Sequence, residues 1–338
     1  MSATCPDTRQ TEHPPARALT APVSRLDLAR DTEGALPADL APVPHTAPGT
    51  ARGVRIGTYN LLTGGIDKDD EEQRRLGQNG FLASLGLDVL VVQELRRWEE
   101  HGWWRLWALA EATGMVPLPP VLSARGGGNH LAMLYRPQTV RVAEWDTDAC
   151  RGVFHHGLGR AIVYFKGDSR PWTILATHLS FLGGEERLAE ARWLTGYGDS
   201  YESNGQRVLL PGDLNTIGAR DPEPEWSKIP ANLRSRHCLL TAEGGFGATD
   251  RRAIQLLEAA GFADPYDLLS TTPARTAGFW SEEELLPHRS DFVLANRLAA
   301  PYVRGVTTHD TDITRSLSDH LPVVVTLSVP AAADGGGR

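Results

Sequence analysis

Short apolar runs in this chain end in single polar heads, and the heads fall at the same end of each run. Val54-Arg55-Ile56-Gly57-Thr58-Tyr59-Asn60 reads as a strand ending in an amide, and Asp88-Val89-Leu90-Val91-Val92-Gln93-Glu94 as a nearly continuous apolar strand ending in a carboxylate. The pattern recurs over residues 172–178, closing on His178, and over 207–215, closing on Gly212-Asp213-Leu214-Asn215. Residues 131–135 and 159–165 are further strand-like runs; Asp291 opens another, and Asp319-His320 precedes the last, 321–327. Helical spacing predicts a helix over 251–260, capped by Thr249 or Asp250 and stopped by Gly261, and another over 185–194. On a third, Trp103, Trp107 and Ala110 share a face, and the tryptophans are expected in the core. Strands interleaved with helices predict an α/β fold.

Polar groups at the carboxyl ends of strands face the crevice where open α/β sheets bind ligands, so Asn60 and Glu94 are candidates for one site. A lone Glu after a buried strand is more often a cap or a solvated loop residue; repetition of the pattern favours a site. In Gly212-Asp213-Leu214-Asn215 the glycine lets the backbone turn tightly, so that Asp213 and Asn215 converge while Leu214 points away. The tetrad alone is as consistent with an Asx-turn in which Asp213 bonds its own backbone. An ionised carboxylate beside His320 favours the imidazolium, which stabilises negative charge on phosphoryl oxygens. As an isolated pair, Asp319-His320 reads better as a structural histidine next to a surface acid. His130, after Gly126-Gly127-Gly128-Asn129, reads as a loop histidine in solvent, with substrate contact as the alternative.

Taken together, Asn60, Gln93-Glu94, Thr177-His178, Gly212-Asp213-Leu214-Asn215, Ser290-Asp291 and Ser318-Asp319-His320 resemble the endonuclease/exonuclease/phosphatase superfamily over residues 53–329. The resemblance implies an α/β fold of DNase I type: a four-layer sandwich of two mixed β-sheets packed face to face, helices outside, with the catalytic mouth at one end. The superfamily includes DNase I, abasic-site endonucleases, inositol-polyphosphate 5-phosphatases and neutral sphingomyelinases, so its motifs specify chemistry better than substrate. It implies a catalytic Mg²⁺, with Mn²⁺ as a substitute, held by Glu94 with Asn60 beside it, and Asp319 assisting the metal or a leaving-group proton; oxygen donors suit a hard cation. By the same resemblance Asp213 orients or deprotonates the attacking water, Asn215 fixes it, and His320 paired with Asp291 binds a nonbridging phosphate oxygen. His178 matches a phosphate-contacting histidine of some branches. Arg160 matches a phosphate-contacting arginine, and is equally read as an ordinary surface charge. The carboxylate of Asp291 is kept although Phe292 and Val293 depart from the usual residues that follow it.

At 338 residues and 41% hydrophobic content the chain can bury a substantial core. One catalytic domain is expected over 53–330, after a disordered Pro- and Ala-rich leader over 1–52 and before a flexible tail over 331–338. The leader's five Arg and six Asp or Glu nearly cancel, so the net charge of −8 belongs to the folded part. No apolar run approaches a membrane span and no signal peptide is visible, which makes a cytoplasmic location the expectation. Cys5, Cys150 and Cys238 are scattered, suggesting free thiols rather than a disulfide framework; His130, His155 and His156 form no recognisable zinc spacing.

An acidic chain draws less nonspecific affinity for DNA, which argues against a general duplex nuclease. Arg96-Arg97 or Arg251-Arg252 could still line a local basic groove, although the second pair reads better as a solvated helix face. Residues 218–247, rich in Pro, Gly and charge, are expected as an insertion near the mouth that selects substrate. The leading expectation is Mg²⁺-dependent hydrolysis of a phosphodiester or phosphomonoester by in-line attack of water. Nucleic acid is the second substrate class, through a DNA endonuclease, exonuclease or repair nuclease; no protein partner is implied. An enzyme of specialised metabolism reusing the metal site without hydrolysis, and a non-catalytic binding scaffold, are the other readings.

Overall fold

The computed structural model describes residues 51–330 apart from 124, 126, 200–204 and 281–284; the expected leader, but for its last two residues, and the expected tail lie outside them. Ala51 and Arg52 open the first strand. The strands are β1 (Ala51–Asn60), β2 (Val89–Gln93), β3 (Val116–Pro117), β4 (Ala132–Tyr135), β5 (Val140–Asp146), β6 (Leu158–Phe165) and β7 (Trp172–His178). They continue with β8 (Arg207–Asp213), β9 (Cys238–Leu240), β10 (Phe246–Thr249), β11 (Phe262–Ala263), β12 (Asp291–Asn296), β13 (Val303–Thr308) and β14 (Val323–Pro330). The helices are α1 (Gln73–Ser84), α2 (Trp104–Thr113), α3 (Gly184–Leu194), α4 (Ala231–Arg234), α5 (Arg252–Ala259), α6 (Pro265–Leu268) and α7 (Asp312–Leu317).

Two six-stranded sheets, ordered β13-β14-β1-β2-β4-β3 and β11-β12-β8-β7-β6-β5, each contain parallel and antiparallel neighbours, and β9 and β10 form a separate hairpin. Alternation along the strands sorts the apolar side chains into layers. Val54, Ile56, Val89 and Val91 of one sheet meet Ile174, Ala176, Leu209 and Val293 of the other in a core between the sheets. The outward residues Leu90, Val92 and Leu134 pack under α1 and α2 through Leu82, Leu106 and Leu109. On the other side Leu175, Leu210 and Leu294 pack under α3 and α5 through Ala191, Leu194, Ile254 and Leu257. The result is the four-layer sandwich.

That same alternation positions the polar heads. Asn60 continues the inward row of Val54 and Ile56, His178 that of Ile174 and Ala176, Asp213 that of Leu209, and Asp291 that of Val293. Where the apolar rows stop, at one end of the sandwich, these four side chains occupy the space between the sheets.

Two expectations change. Trp107 is 59% exposed and Trp104 40%, because the buried stripe of α2 runs through Leu106, Leu109, Ala110 and Thr113. Trp103 is half-buried against the core there, while Trp104 and Trp107 face outward, with the Arg75 and Arg105 guanidiniums 4.9 and 5.0 Å from the Trp104 ring centroid. Gly212 lies inside β8 and has no positive φ. It is required by close approach: a Cβ there would press into the Thr177 carbonyl of the neighbouring strand. Cys150 and Cys238 are free and buried. Among the described residues no helix is long and apolar enough to cross a membrane.

Candidate active site

Asn60 joins the two sheets. Its Nδ2 donates to Glu94 Oε1 at 3.2 Å and to Asp213 Oδ2 at 3.0 Å. Glu94 follows β2, whose alternation would send it outward with Leu90 and Val92; its backbone instead turns through a left-handed φ of 59°. The carboxylate thereby meets Asn60, and its Oε2 accepts the Thr63 N–H at 3.0 Å. A left-handed glutamate costs backbone energy, and such strain clusters at functional sites. Asn215 is also left-handed, with φ 48°.

Asp213 is wholly enclosed. Its Oδ1 accepts Ser290 Oγ–H at 2.6 Å and the Asn215 N–H at 2.9 Å, the second being the bond of the expected Asx-turn. Asn215 Nδ2 donates to the Leu179 carbonyl at 2.9 Å, and Leu214 is buried in the outer core. Asp213 Oδ2 faces His178 Nε2 at 3.5 Å and His320 Nε2 at 3.7 Å. His320 Nδ1 lies 2.8 Å from Asp291 Oδ2. Ser318 ties the last loop down by donating to the Asn60 carbonyl at 2.8 Å while accepting the His320 N–H at 3.2 Å.

Charge follows from this packing. Burial opposes the imidazolium of His320, but the carboxylates of Asp291, Asp213 and Asp319 overcome it and hold the ring protonated well above its usual range. Burial would raise Asp213; His320, His178 and the bonds from Ser290 and Asn215 bring it below the ordinary carboxylate range. Asp319 is raised by burial and by the nearby charges of Glu94 and Asp213, with His320 opposing. Burial lowers His178, against Asp213 and Glu94.

Asp213, Asp291 and His320 bring ligand atoms within 4.8 Å of one another, a grouping able to hold a divalent cation. Glu94 and Asp319 offer hard oxygen donors whose charges repel one another, while Asn60 turns Nδ2 toward Glu94 and its Oδ1 accepts the Leu62 N–H at 3.0 Å. Asn60, Glu94, His178, Asp213, Asn215, Asp291, Asp319 and His320 are thus brought together, most of them around a cavity of about 250 Å³. Arg160 is not. It stands on the outer face of β6 with Leu158, 4.0 Å from Glu144, and does not line the cavity.

Other expectations are corrected too. His130 is buried rather than solvated: Nδ1 accepts the Ser123 N–H at 3.0 Å, and Nε2 lies 3.7 Å from Glu99. Arg251 is largely covered, bonding the Gly218 carbonyl and Glu223, because the 218–223 loop folds over it, so the solvated helix face does not describe it. Arg97 pairs with Asp70 and Glu100, and Arg252 with Asp250 and Glu185.

Sequence reasoning missed His156 and most of the cavity wall. His156 is fully buried, and its ring stacks on His178 with centroids 4.0 Å apart. The wall includes Phe181, Arg187, Arg236, His237, Trp280 and His288. The expected insertion supplies Arg236 and His237, and Trp226 within it stacks on His237 at 4.5 Å. The adjacent histidine pair at 155–156 was the available signal for His156; the loop residues carry none.

No protein-family model and no curated protein matches the chain. Solved structures match its fold across nearly their whole length. An endonuclease/exonuclease/phosphatase of Bacteroides vulgatus is 17% identical, with TM-score 0.57 over 82% of this chain and 98% of that one. TDP2 of D. rerio, solved with a single-strand DNA product, is 18% identical, with TM-score 0.52 over 81% and 98%. A mannosyl-6-phosphatase of Bacteroides thetaiotaomicron is 15% identical, with TM-score 0.54 over 82% and 99%. The chain has the DNase I-like fold of these endonuclease/exonuclease/phosphatase structures.

Proposed function

We propose that the chain is a Mg²⁺-dependent hydrolase of a small phosphate ester, with water attacking phosphorus in line with the leaving group. The observation that carries this reading is the Asn60 amide bridging Glu94 and Asp213 at the mouth of the sandwich, beside a His320 held as imidazolium. Glu94 and Asp319 would hold the metal, with Asn60 beside them fixing Glu94 through Nδ2; the carboxylate oxygens fit a hard cation, and the mutual repulsion of Glu94 and Asp319 favours one. A cation among Asp213, Asp291 and His320 would instead have to displace the proton on the dyad. When bound, Mg²⁺ supplies Lewis-acid polarisation of the phosphoryl group and counters its charge.

The chain's own groups do the rest. Asp213, kept ionised, presents Oδ2 to orient the attacking water and accept its proton, while its Oδ1 is fixed by Ser290 and Asn215. His320 Nδ1 is engaged by Asp291, but Nε2 stands 3.7 Å from Asp213, beyond a hydrogen bond, and is the donor left for a nonbridging oxygen. Neutral His178, stacked on His156, offers a second donor without adding charge. Bulk duplex DNA is the less supported substrate. The chain carries −8, and Arg97, Arg251 and Arg252 are already paired with carboxylates.

Phosphate release from a panel of small phosphomonoesters and phosphodiesters, run beside plasmid and single-stranded DNA with Mg²⁺, Mn²⁺ or chelator, tests this reading. Cation-dependent turnover of a small ester is expected. Turnover confined to DNA, or undiminished in chelator, would overturn it.

A further inference from the structure

At the Asp291–His320 pair the two sheets are joined by a short stretch of chain that belongs to neither. Thr276 and Ala277 run antiparallel to the residues leading into β12 and into β14, and Ala277 bridges His288 on one side and His320 on the other. The Thr276 and Ala277 N–H groups donate to the His288 carbonyl at 2.8 and 2.9 Å, while the Thr276 carbonyl accepts the Leu321 N–H at 2.7 Å. The Thr276 side chain completes the arrangement. Its Oγ1 accepts two backbone N–H groups, from Ser290 at 2.9 Å and from Asp291 at 3.0 Å. Thr276 is 0% exposed, Ser290 3% and Asp291 1%, so removing that oxygen would deprive two buried donors of their acceptor.

The residues held in this way carry the site. Ser290 Oγ donates to Asp213, Asp291 engages His320 Nδ1, and Leu321 directly follows His320. One residue outside both sheets thus fixes the backbone on each side of the dyad, the acid through its hydroxyl and the histidine's loop through its carbonyl. A hydrogen bond of 2.8 Å tolerates little drift of one segment against the other. Building on the hydrolase reading, we propose that Thr276 is a positioning residue, which holds Ser290 and Asp291 where Asp213 Oδ2 and His320 Nε2 serve the reacting phosphate. The carbonyl and N–H contributions need no particular side chain; the requirement falls on the oxygen of Thr276. Valine would fill the same space without holding the two donors.

The test sets Thr276→Val, which removes the acceptor, against Thr276→Ser, which keeps it, in turnover of a small phosphate ester with saturating Mg²⁺. Thr276→Val is expected to lose roughly ten- to a hundredfold in kcat with KM within about threefold, because a displaced dyad weakens the transition state more than ground-state binding. Thr276→Ser is expected to stay within about threefold of the wild type in both, since it keeps the acceptor. Thr276→Cys, with weakly accepting sulfur on the serine frame, is expected to fall at least about tenfold below Thr276→Ser in kcat, and it decides the matter if the valine variant does not fold. Nitrogen NMR of the His320 ring, assigned by its absence in His320→Gln, follows the dyad in substrate-free protein without Mg²⁺. The Nδ1 signal is expected at its wild-type position in Thr276→Ser and displaced in Thr276→Val and Thr276→Cys. A serine variant as impaired as the valine or cysteine variant, wild-type kcat without the acceptor, or a loss confined to KM overturns the proposal and leaves the hydrolase reading standing. If the wild type turns over no phosphate ester, the hydrolase reading falls, and an Nδ1 signal unmoved by both Thr276→Val and Thr276→Cys is then the result that overturns this one.

Discussion

His320 Nδ1 and Asp291 Oδ2 meet at 2.8 Å across the two sheets, the aspartate opening β12 of one and the histidine just before β14 of the other. The dyad therefore forms only when the sheets are packed, and in the proposed reaction each residue's contribution would depend on the other. A double-mutant cycle on kcat/KM with Asp291→Ala and His320→Ala is expected to be strongly non-additive, the double variant losing little more than the worse single one. Losses that simply multiply would show two independent side chains.

The placement of the metal can be separated from the dyad by titrating Mg²⁺ into variants without substrate. Glu94→Ala and Asp319→Ala are expected to weaken binding at least tenfold, and Asp291→Ala to leave it nearly intact. The reverse ranking would put the cation among Asp213, Asp291 and His320.

Gly212→Ala is expected to cost about 1–3 kcal/mol, because the new methyl would press on the Thr177 carbonyl between paired strands. Denaturant midpoints measure it. An unchanged midpoint would mean that β7 and β8 have room there.

Glu190 supplies a pH signature away from the metal donors. Its two oxygens accept the His155 and Ser180 N–H groups, each at 2.7 Å, yet burial raises its carboxyl from 4.5 to about 7. A raised folded-state value favours the neutral form in the fold. Its stabilisation is therefore complete below 4.5 and is lost as pH rises through about 7. The stability of the wild type relative to Glu190→Ala is expected to fall by roughly 3 kcal/mol across that window. A relative stability that grows with pH would contradict the shift.

Much of the site was legible because strand alternation and strand ends are written in the sequence. The inward rows that bury Val54, Ile56, Leu209 and Val293 also aim Asn60, Asp213 and Asp291. Glu94 was legible as a residue but not in its backbone, since a left-handed φ on a glutamate leaves no pattern. The helix faces were less clear: of the face expected on α2, Ala110 is buried and Trp103 packs on the core, but Trp107 falls outside the buried stripe, since tryptophan covers surface as readily as core. Arg160 belongs to the outward row of β6, which residue type alone does not reveal. Arg187, Arg236, His237 and His288 come from a helix and loops without a common period, and only the fold brings them to one cavity.

The most direct measurement is phosphate release from a turned-over small ester by the wild type and Glu94→Ala, each with saturating Mg²⁺ and with chelator, with thermal melting of both proteins alongside. Wild-type turnover that needs the cation, and a Glu94→Ala variant that melts like the wild type but has lost at least a hundredfold in kcat, is the expected result. Full turnover by Glu94→Ala, or by the wild type in chelator, would contradict a metal-dependent hydrolase centred on these strand ends.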